Sequence, residues 1–430
     1  VDRTEGSNPI RQPLENLRFA GTLYGAIIYQ KAPIVMQHLE NRVGAESFRD
    51  GMREYLSTYA YGNATWPDLI AILDKRSEQD LAAWSEVWVE EANRPTISIE
   101  RGGDDIVITQ RDPASRGRTW PQTLQLRVGS IESNEAITIE LGSKPQRLAG
   151  HGNARFVLPN GSGVEYGGFI LDADSQAYLL ANIDRLETAL LRGATWVSLW
   201  DQLLEGRLAP EVFLQTAINS LASEQDELVV SRILSYTGSV FWNYLSEIER
   251  RDWSTTLENT LWSQVTSERS RSGRASFYSA YRNLALSREG LARLERLWRG
   301  DEEATDLPLS ELDQITLAGN LAIKGIANAE ALLSQQEERI ENPDRLARFR
   351  FVRDSLSVNP SLRNSFFESL RDEANRDREA WVIAGLSNIH HPLRAAESID
   401  LIYPALNMIE EIQQTGDIFF PGRWLGSTLE

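Results

Sequence analysis

Cysteine is absent from this 430-residue chain, which excludes disulfides, thiolate metal sites and cysteine nucleophiles together and leaves the compartment open. Histidine is scarce. Only His38, His151, His390 and His391 occur. No two of them stand four residues apart, the spacing that sets two imidazoles on one helix face, so the sequence holds no HExxH zinc motif. Basic residues are outnumbered: 44 Lys and Arg against 62 Asp and Glu leave a formal net charge of -18. That balance argues against a nucleic-acid partner, because phosphate binding rests on clustered cations. No apolar run approaches the roughly 18 to 20 residues of a membrane-spanning helix. The opening VDRTEGSNPI also lacks the apolar centre of a signal peptide. Bacterial cytoplasm, periplasm and extracellular space are all compatible with these features. Val1 in place of methionine fits a processed or trimmed polypeptide.

What is present is the composition of a globular protein, 41% hydrophobic and 25% charged with only 16 prolines. At roughly 100–200 residues per domain, the length predicts two to four domains. Residues 1–93 read as helical once past the opening prolines: Leu23, Ile27, Ile28, Ile34, Val35, Leu39 and Val43 recur at helical spacing, and Gly44 ends the run. Ala45 to Tyr59 follows as a second amphipathic helix. Thr65, Pro67 and Asp68 carry the cap, first-turn and dipole signals of a third. A short helix from Ser77 ends in Trp84 and Trp88, which read as core. From Pro95 the period changes to two. Thr96–Glu100, Ile106–Gln110, Thr123–Val128 and Ala136–Leu141 alternate apolar and polar residues, and Phe156–Leu158 and Tyr166–Leu171 complete a small antiparallel β-sandwich over 94–174. Residues 175–430 return to helices of about 10–20 residues, punctuated at Gly193, Gly206, Gly300, Asn342-Pro343, Asn359-Pro360 and His391-Pro392, as in an α-solenoid of HEAT or armadillo type. The aromatic segment from Asp417 to Trp424 is expected to dock on those helices. The fold class is therefore a mostly α, multidomain α+β protein.

Chemistry-bearing constellations are few. No GxSxG elbow, GxxxxGK[ST] loop or Rossmann glycine pattern occurs. Glu90-Glu91 and Asp104-Asp105 are adjacent pairs whose side chains diverge, unsuited to joint acid–base work. His390-His391 precedes Pro392 in a turn, where capping is the ordinary role.

One run is different. Tyr24-Gly-Ala-Ile-Ile-Tyr29-Gln-Lys31-Ala-Pro-Ile-Val-Met, followed by Gly44, Phe48, Tyr59-Ala-Tyr61-Gly62-Asn63-Ala64-Thr65 and Asp68-Leu69, resembles the aminopeptidase N family of zinc metallopeptidases, the gluzincin aminopeptidases. Tyr29 stands at that family's tyrosine. Ala32 departs from the usual glycine, and Pro33 is unusual there. Further matches follow in order: Trp84 and Trp88, Arg94-Pro95, Trp120-Pro121, Leu158 to Gly161 with Tyr166-Gly-Gly-Phe, and Leu204 to Pro210 with Glu224 and Asp226.

The resemblance implies a C-terminal portion of such an enzyme: the helical end of a thermolysin-like catalytic domain over 1–93, the β-sandwich over 94–174 and the helical solenoid over 175–430. It implies that zinc belongs to the intact protein, with its ligands outside this chain. The partners it implies are peptide substrates together with the N-terminal and zinc-binding domains. It gives Tyr29 a catalytic role, since a phenol O–H beside the attacked carbonyl stabilises the negative charge that develops there. Tyr24 lines the substrate cleft or packs in the core, and Lys31 is a structural hydrogen-bond or ion-pair partner. On this reading the chain is inactive alone and encloses the cleft, its net charge giving an acidic inner surface that favours a peptide's cationic groups. The alternative is a non-catalytic peptide-binding or scaffold protein built on the same solenoid.

Overall fold

The computed structural model describes all residues except 1, 5, 15–24, 268, 305–306 and 430. They form two compact units, Val1–Thr216 and Ala217–Glu430. No helix among the described residues is long and apolar enough to cross a membrane.

In the first unit, a π-helical turn (Ile27–Lys31) leads into α1 (Ala32–Val43), which stops at Gly44 with a φ of 88°. Glycine reaches that left-handed region without a Cβ clash. α2 (Ala45–Thr58) and α3 (Trp66–Asp74) follow. The cap of α3 forms as its sequence predicts: Thr65 N and Oγ1 both donate to Asp68 Oδ2, at 2.8 and 2.6 Å. α4 (Leu81–Ser85) is capped by Asp80 and runs into a second π turn, Glu86–Glu90. Val35, Leu39, Leu73, Leu81, Trp84, Trp88 and Trp120 pack into one core. Trp84 on α4 and Trp88 on the π turn after it are thus core residues.

Seven strands follow: β1 (Thr96–Gly102), β2 (Asp105–Arg111), β3 (Gln122–Gly129), β4 (Asn134–Leu141), β5 (Gln146–Ala149), β6 (Phe156–Leu158) and β7 (Gly168–Ile170). They make one sheet in the order β5-β2-β1-β7 and another in the order β4-β3-β6. Alternation puts Ile97, Ile99, Ile106, Ile108, Leu124, Leu126 and Val128 inside. Two features depart from expectation. β5 carries no apolar alternation and was not foreseen; it forms as an edge strand by pairing with β2. β7 is shorter than Tyr166–Leu171 and pairs with β1 in parallel, Thr96 opposite Gly168, whereas every other pair is antiparallel. Side-chain period reports which face is buried and not the direction of the chain, so an all-antiparallel reading could not be corrected from sequence. α5 (Ala173–Asn182), α6 (Ala189–Leu204) and α7 (Pro210–Ser223) come next, the last counted with the second unit from Ala217 on. Gly193 lies inside α6 and does not end a helix, because the buried face of that helix continues through Ala194, Trp196 and Leu199.

The second unit is helical throughout, with no strand among its described residues: α8 (Glu227–Asn243), α9 (Glu247–Val265), α10 (Arg271–Leu284), α11 (Arg288–Arg299), α12 (Glu311–Ile323), α13 (Ala329–Arg339), α14 (Pro343–Leu356), α15 (Pro360–Ser369), α16 (Glu379–Ile389), α17 (Ala395–Asn407), α18 (Ile409–Thr415) and α19 (Phe420–Leu429). Gly300 closes α11 at φ 85°, and Asn342 and Asn359 cap the helices that their following prolines open. Three buried arginines satisfy carbonyls that helix ends leave open. Arg394 donates to Ser355 O and Leu356 O, both at 2.7 Å; Arg363 donates to Ser357 O at 2.7 Å and pairs with Glu397; Arg376 donates to Leu370 O at 2.6 Å and pairs with Glu411. The closing aromatic segment docks as expected: Phe420 and Trp424 join Phe367, Leu386 and Ile412 in the core, and Trp424 Nε1 donates to Ala405 O at 3.0 Å.

His391 caps the short turn that follows it, its Nδ1 accepting from Leu393 N at 3.2 Å, and its ring meets Trp242 edge-on at 4.7 Å. Burial pushes His390 and His391 down to about 4 from the ordinary 6.5; Lys324, Arg394 and Arg250 add to the effect on His391. Unfolded histidines therefore take up protons below pH 6.5 while the folded ones resist until about pH 4. Stability from this source is complete above pH 6.5 and is lost as the pH falls toward 4. The denaturant midpoint of the 217–430 unit is expected to fall between pH 7 and 4.5, and to fall less in His391→Asn, which keeps a cap acceptor. Equal losses in both proteins would contradict the assignment.

Candidate active-site tyrosine and the grooves of the helical unit

Pro33 shapes the turn that carries Tyr29. Lacking an N–H, it has nothing to donate to the Tyr29 carbonyl four residues back, and the ladder widens: Ala32 N–H bonds to Ile27 O, a five-residue step. Residues two apart on such a turn face opposite ways. Tyr29 points out, 67% exposed. Lys31 points in, fully buried.

Lys31 sits four residues after Ile27 and four before Val35, on the stripe that α1 buries. Charge at such a position requires a partner. Its Nζ stands 2.6 Å from Asp2 Oδ2, both side chains wholly buried, and donates to Asn93 O at 3.0 Å. Asp2 Oδ1 in turn accepts from Asn93 N at 2.9 Å and from Ser7 Oγ. Asp2 and Asn93 both adopt left-handed backbone, with φ of 64° and 79°, a conformation that Asp and Asn tolerate better than most residues. The Asn93 side chain accepts from Arg116 at 2.6 Å. The neighbouring Arg94 donates to Gly167 O and pairs with Asp201, both at 3.0 Å. Burial pulls the Lys31 ammonium below the ordinary lysine value, and the Asp2 carboxylate opposes that shift.

Tyr166 closes the cluster. Lys31 Nζ lies 5.9 Å from its ring, and the ring packs against Trp88 at 6.2 Å. Burial, and then the Asp2 charge, push its hydroxyl well above the usual phenol value. Gln122 exchanges two hydrogen bonds with the Tyr166 backbone, and Trp88 Nε1 donates to Pro121 O at 3.1 Å. Tyr29, Lys31, Trp88, Arg94, Pro121 and Tyr166, separated in sequence, thus belong to one connected structure. Tyr24 lies outside the described residues. Sequence reading missed Asp2 and Asn93, and named Tyr166 only as part of a strand and a family match; the available signal was a lysine on an apolar stripe, which announces a partner without naming it.

The donors among the described residues do not fit zinc. His38 Nε2 meets Val164 O at 2.7 Å and its ring packs on Trp88; His151 engages Ala149 O and Glu135; His390 and His391 are in a buried turn. Among the described residues, no group of three His, Asp or Glu side chains is placed to hold a metal. Glu90 and Glu91 are bound by different arginines, Arg11 at 2.7 Å and Arg118 at 2.6 Å.

The helical unit has two adjoining grooves. One, of about 200 Å³, has Phe349, Val352 and Leu356 in its floor and Arg345 and Arg348 on its wall. The other is lined by serines, Asn283 and Arg282. Thr316 and Asn320 border both. No carboxylate is among the described residues that line either groove, although Glu311 pairs with Arg345 and Asp313 lies near Arg282.

Residues 1–88 match the peptidase family M1 domain. Similar curated proteins include aminopeptidase N of Streptomyces lividans, 26% identical over 254 residues, covering 54% of this chain and 30% of that protein. Tricorn protease-interacting factor F2 of Thermoplasma volcanium is 23% identical over 249 residues, 56% of this chain and 30% of the relative. Aminopeptidase M1-C of Oryza sativa subsp. japonica is 25% identical over 259 residues, 56% and 29% of the two. The chain spans about 30% of the length of these relatives.

Replacing Lys31 by Met leaves the Asp2 carboxylate buried without its counter-ion. A loss of about 3–5 kcal/mol is expected for the 1–216 unit, measured by chemical denaturation, with partial recovery in Asp2→Asn/Lys31→Met. An unchanged midpoint in the single variant would show that the pair does not hold the turn.

Proposed function

From a chain whose residues 1–88 match the peptidase family M1 domain, we propose the C-terminal part of a zinc-dependent aminopeptidase that removes N-terminal residues from peptides. The division we propose is 1–93 as the end of the catalytic domain, 94–174 as a β-sandwich and 175–430 as a solenoid that encloses the cleft. Zinc, when bound by the intact protein, would supply Lewis-acid chemistry at the scissile carbonyl; the described donors of this chain do not form its site.

The contribution of this chain is Tyr29. The observation that carries the proposal is its setting: an exposed phenol on a turn widened before Pro33 and anchored two residues later by a buried ion pair. A phenol held in place donates to an oxyanion without reorganising during the reaction, and such donors act on the transition state more than on the ground state. Lys31, Asp2 and Asn93 hold the turn, and the Tyr29 O–H donates. Without the zinc-binding part the chain is inactive.

In an intact protein containing the zinc site, Tyr29→Phe is expected to lower kcat by on the order of 10²–10³, with KM and the unfolding midpoint nearly unchanged. A large stability loss with little loss of rate would make Tyr29 a packing residue. The 430-residue chain alone, with added zinc, is expected to leave amino-acyl chromogenic substrates intact; chelator-sensitive turnover would overturn the assignment of the metal site to another part of the protein.

A further inference from the structure

The two grooves of the helical unit adjoin at α12, whose Thr316 and Asn320 line both. On one side of that helix, α10 brings Arg282 to the second groove. On the other, α14 brings Arg345 and Arg348 to the first. Cations thus stand on both sides of an apolar floor, in a chain whose formal charge is -18.

The floor is made of Phe349, Val352 and Leu356, buried beneath the opening. Gly319 keeps it open toward α12: a Cβ there would come within 3.3 Å of Leu356 Cδ2. At about 200 Å³ the space is smaller than a typical cofactor or drug pocket, and suits a single large apolar side chain.

The arginines differ in how far they are engaged. Arg345 pairs with Glu311 at 3.0 Å, and Arg282 lies 3.9 Å from Asp313, the outer limit of an ion pair. Its Nε is buried without a hydrogen-bond partner. Arg348 is exposed and has no ion pair or hydrogen bond among the described residues. A guanidinium of this kind is suited to planar, two-point recognition of a carboxylate.

We propose that this groove binds an extended peptide segment in which an apolar residue is flanked by acidic side chains. The apolar side chain fills the pocket over Phe349, Val352 and Leu356, and one carboxylate meets Arg348 while the other meets Arg282. Cations on both sides favour an internal segment over a chain terminus, which supplies one carboxylate. In an extended chain, residues two apart point the same way, so the acidic residues stand two positions to either side of the apolar one. This rests on the reading that the protein handles peptides and adds their class: acidic and apolar at a distance from the amino terminus.

The test is calorimetric titration of the 430-residue chain with peptides blocked at both ends, which cannot be aminopeptidase substrates, so that its result is independent of Tyr29. A peptide with leucine between two glutamates spaced in this way is expected to bind roughly ten-fold more tightly at low salt than the same peptide with glutamines. Arg348→Glu is expected to erase that difference while leaving the circular dichroism spectrum and unfolding midpoint unchanged, and Thr316→Trp, which fills the crossing between the grooves, to weaken binding of both peptides. Equal affinity for the two peptides, preference for a lysine counterpart, absence of binding by all of them, or an undiminished preference in Arg348→Glu would each overturn the proposal.

Discussion

The first unit depends on an ammonium and a carboxylate that meet out of water. Lys31 and Asp2 have no exposed side-chain surface, and desolvating both ions costs as much as their attraction returns, so the pair is not a source of large net stability. What it provides is uniqueness. An unpaired charge at either position is strongly unfavourable, so the opening segment, the turn of Tyr29 and the backbone at Asn93 are compatible only in the arrangement that brings them together. Tyr29 is thereby placed by groups it need not touch.

A related device recurs in the helical unit with different chemistry. Arg363, Arg376 and Arg394 are buried, and their guanidinium groups reach carbonyls where helices end. Each rigid fork satisfies acceptors that the helix cannot satisfy itself, and for Arg363 and Arg376 a glutamate on a later helix balances the charge. Tight turns between helices then carry no open carbonyl cost. Of the groove arginines, Arg348 is exposed and unpaired among the described residues, whereas Arg345 pairs with Glu311 and Arg282 is mostly buried near Asp313.

Much of this architecture was legible beforehand because its signals are local. Thr65 and Asp68 are three residues apart, Asn342 and Asn359 directly precede their prolines, and Ile106 and Ile108 alternate within one strand, so cap, helix start and buried face follow from neighbours. Lys31 was legible as a partner to something. Its partner was not, because Asp2 lies 29 positions away and Asn93 lies 62, and no periodicity spans such distances. Gly193 misled for the converse reason: a local helix-ending signal was overridden by burial of the residues around it.

The sequence by itself determined most of the helices, the strands whose residues alternate, the caps, the absence of an HExxH motif and the position of a family-like tyrosine, all properties of residue type and short spacing. Tertiary structure alone decided the parallel pairing of β7 with β1, the partnership of Lys31 with Asp2, and the gathering of Arg282, Arg345 and Arg348 around two adjoining grooves. These are relations between residues remote in the chain. They are settled by the need to pair buried charge and backbone and by where folding leaves each side chain, which neither composition nor periodicity encodes.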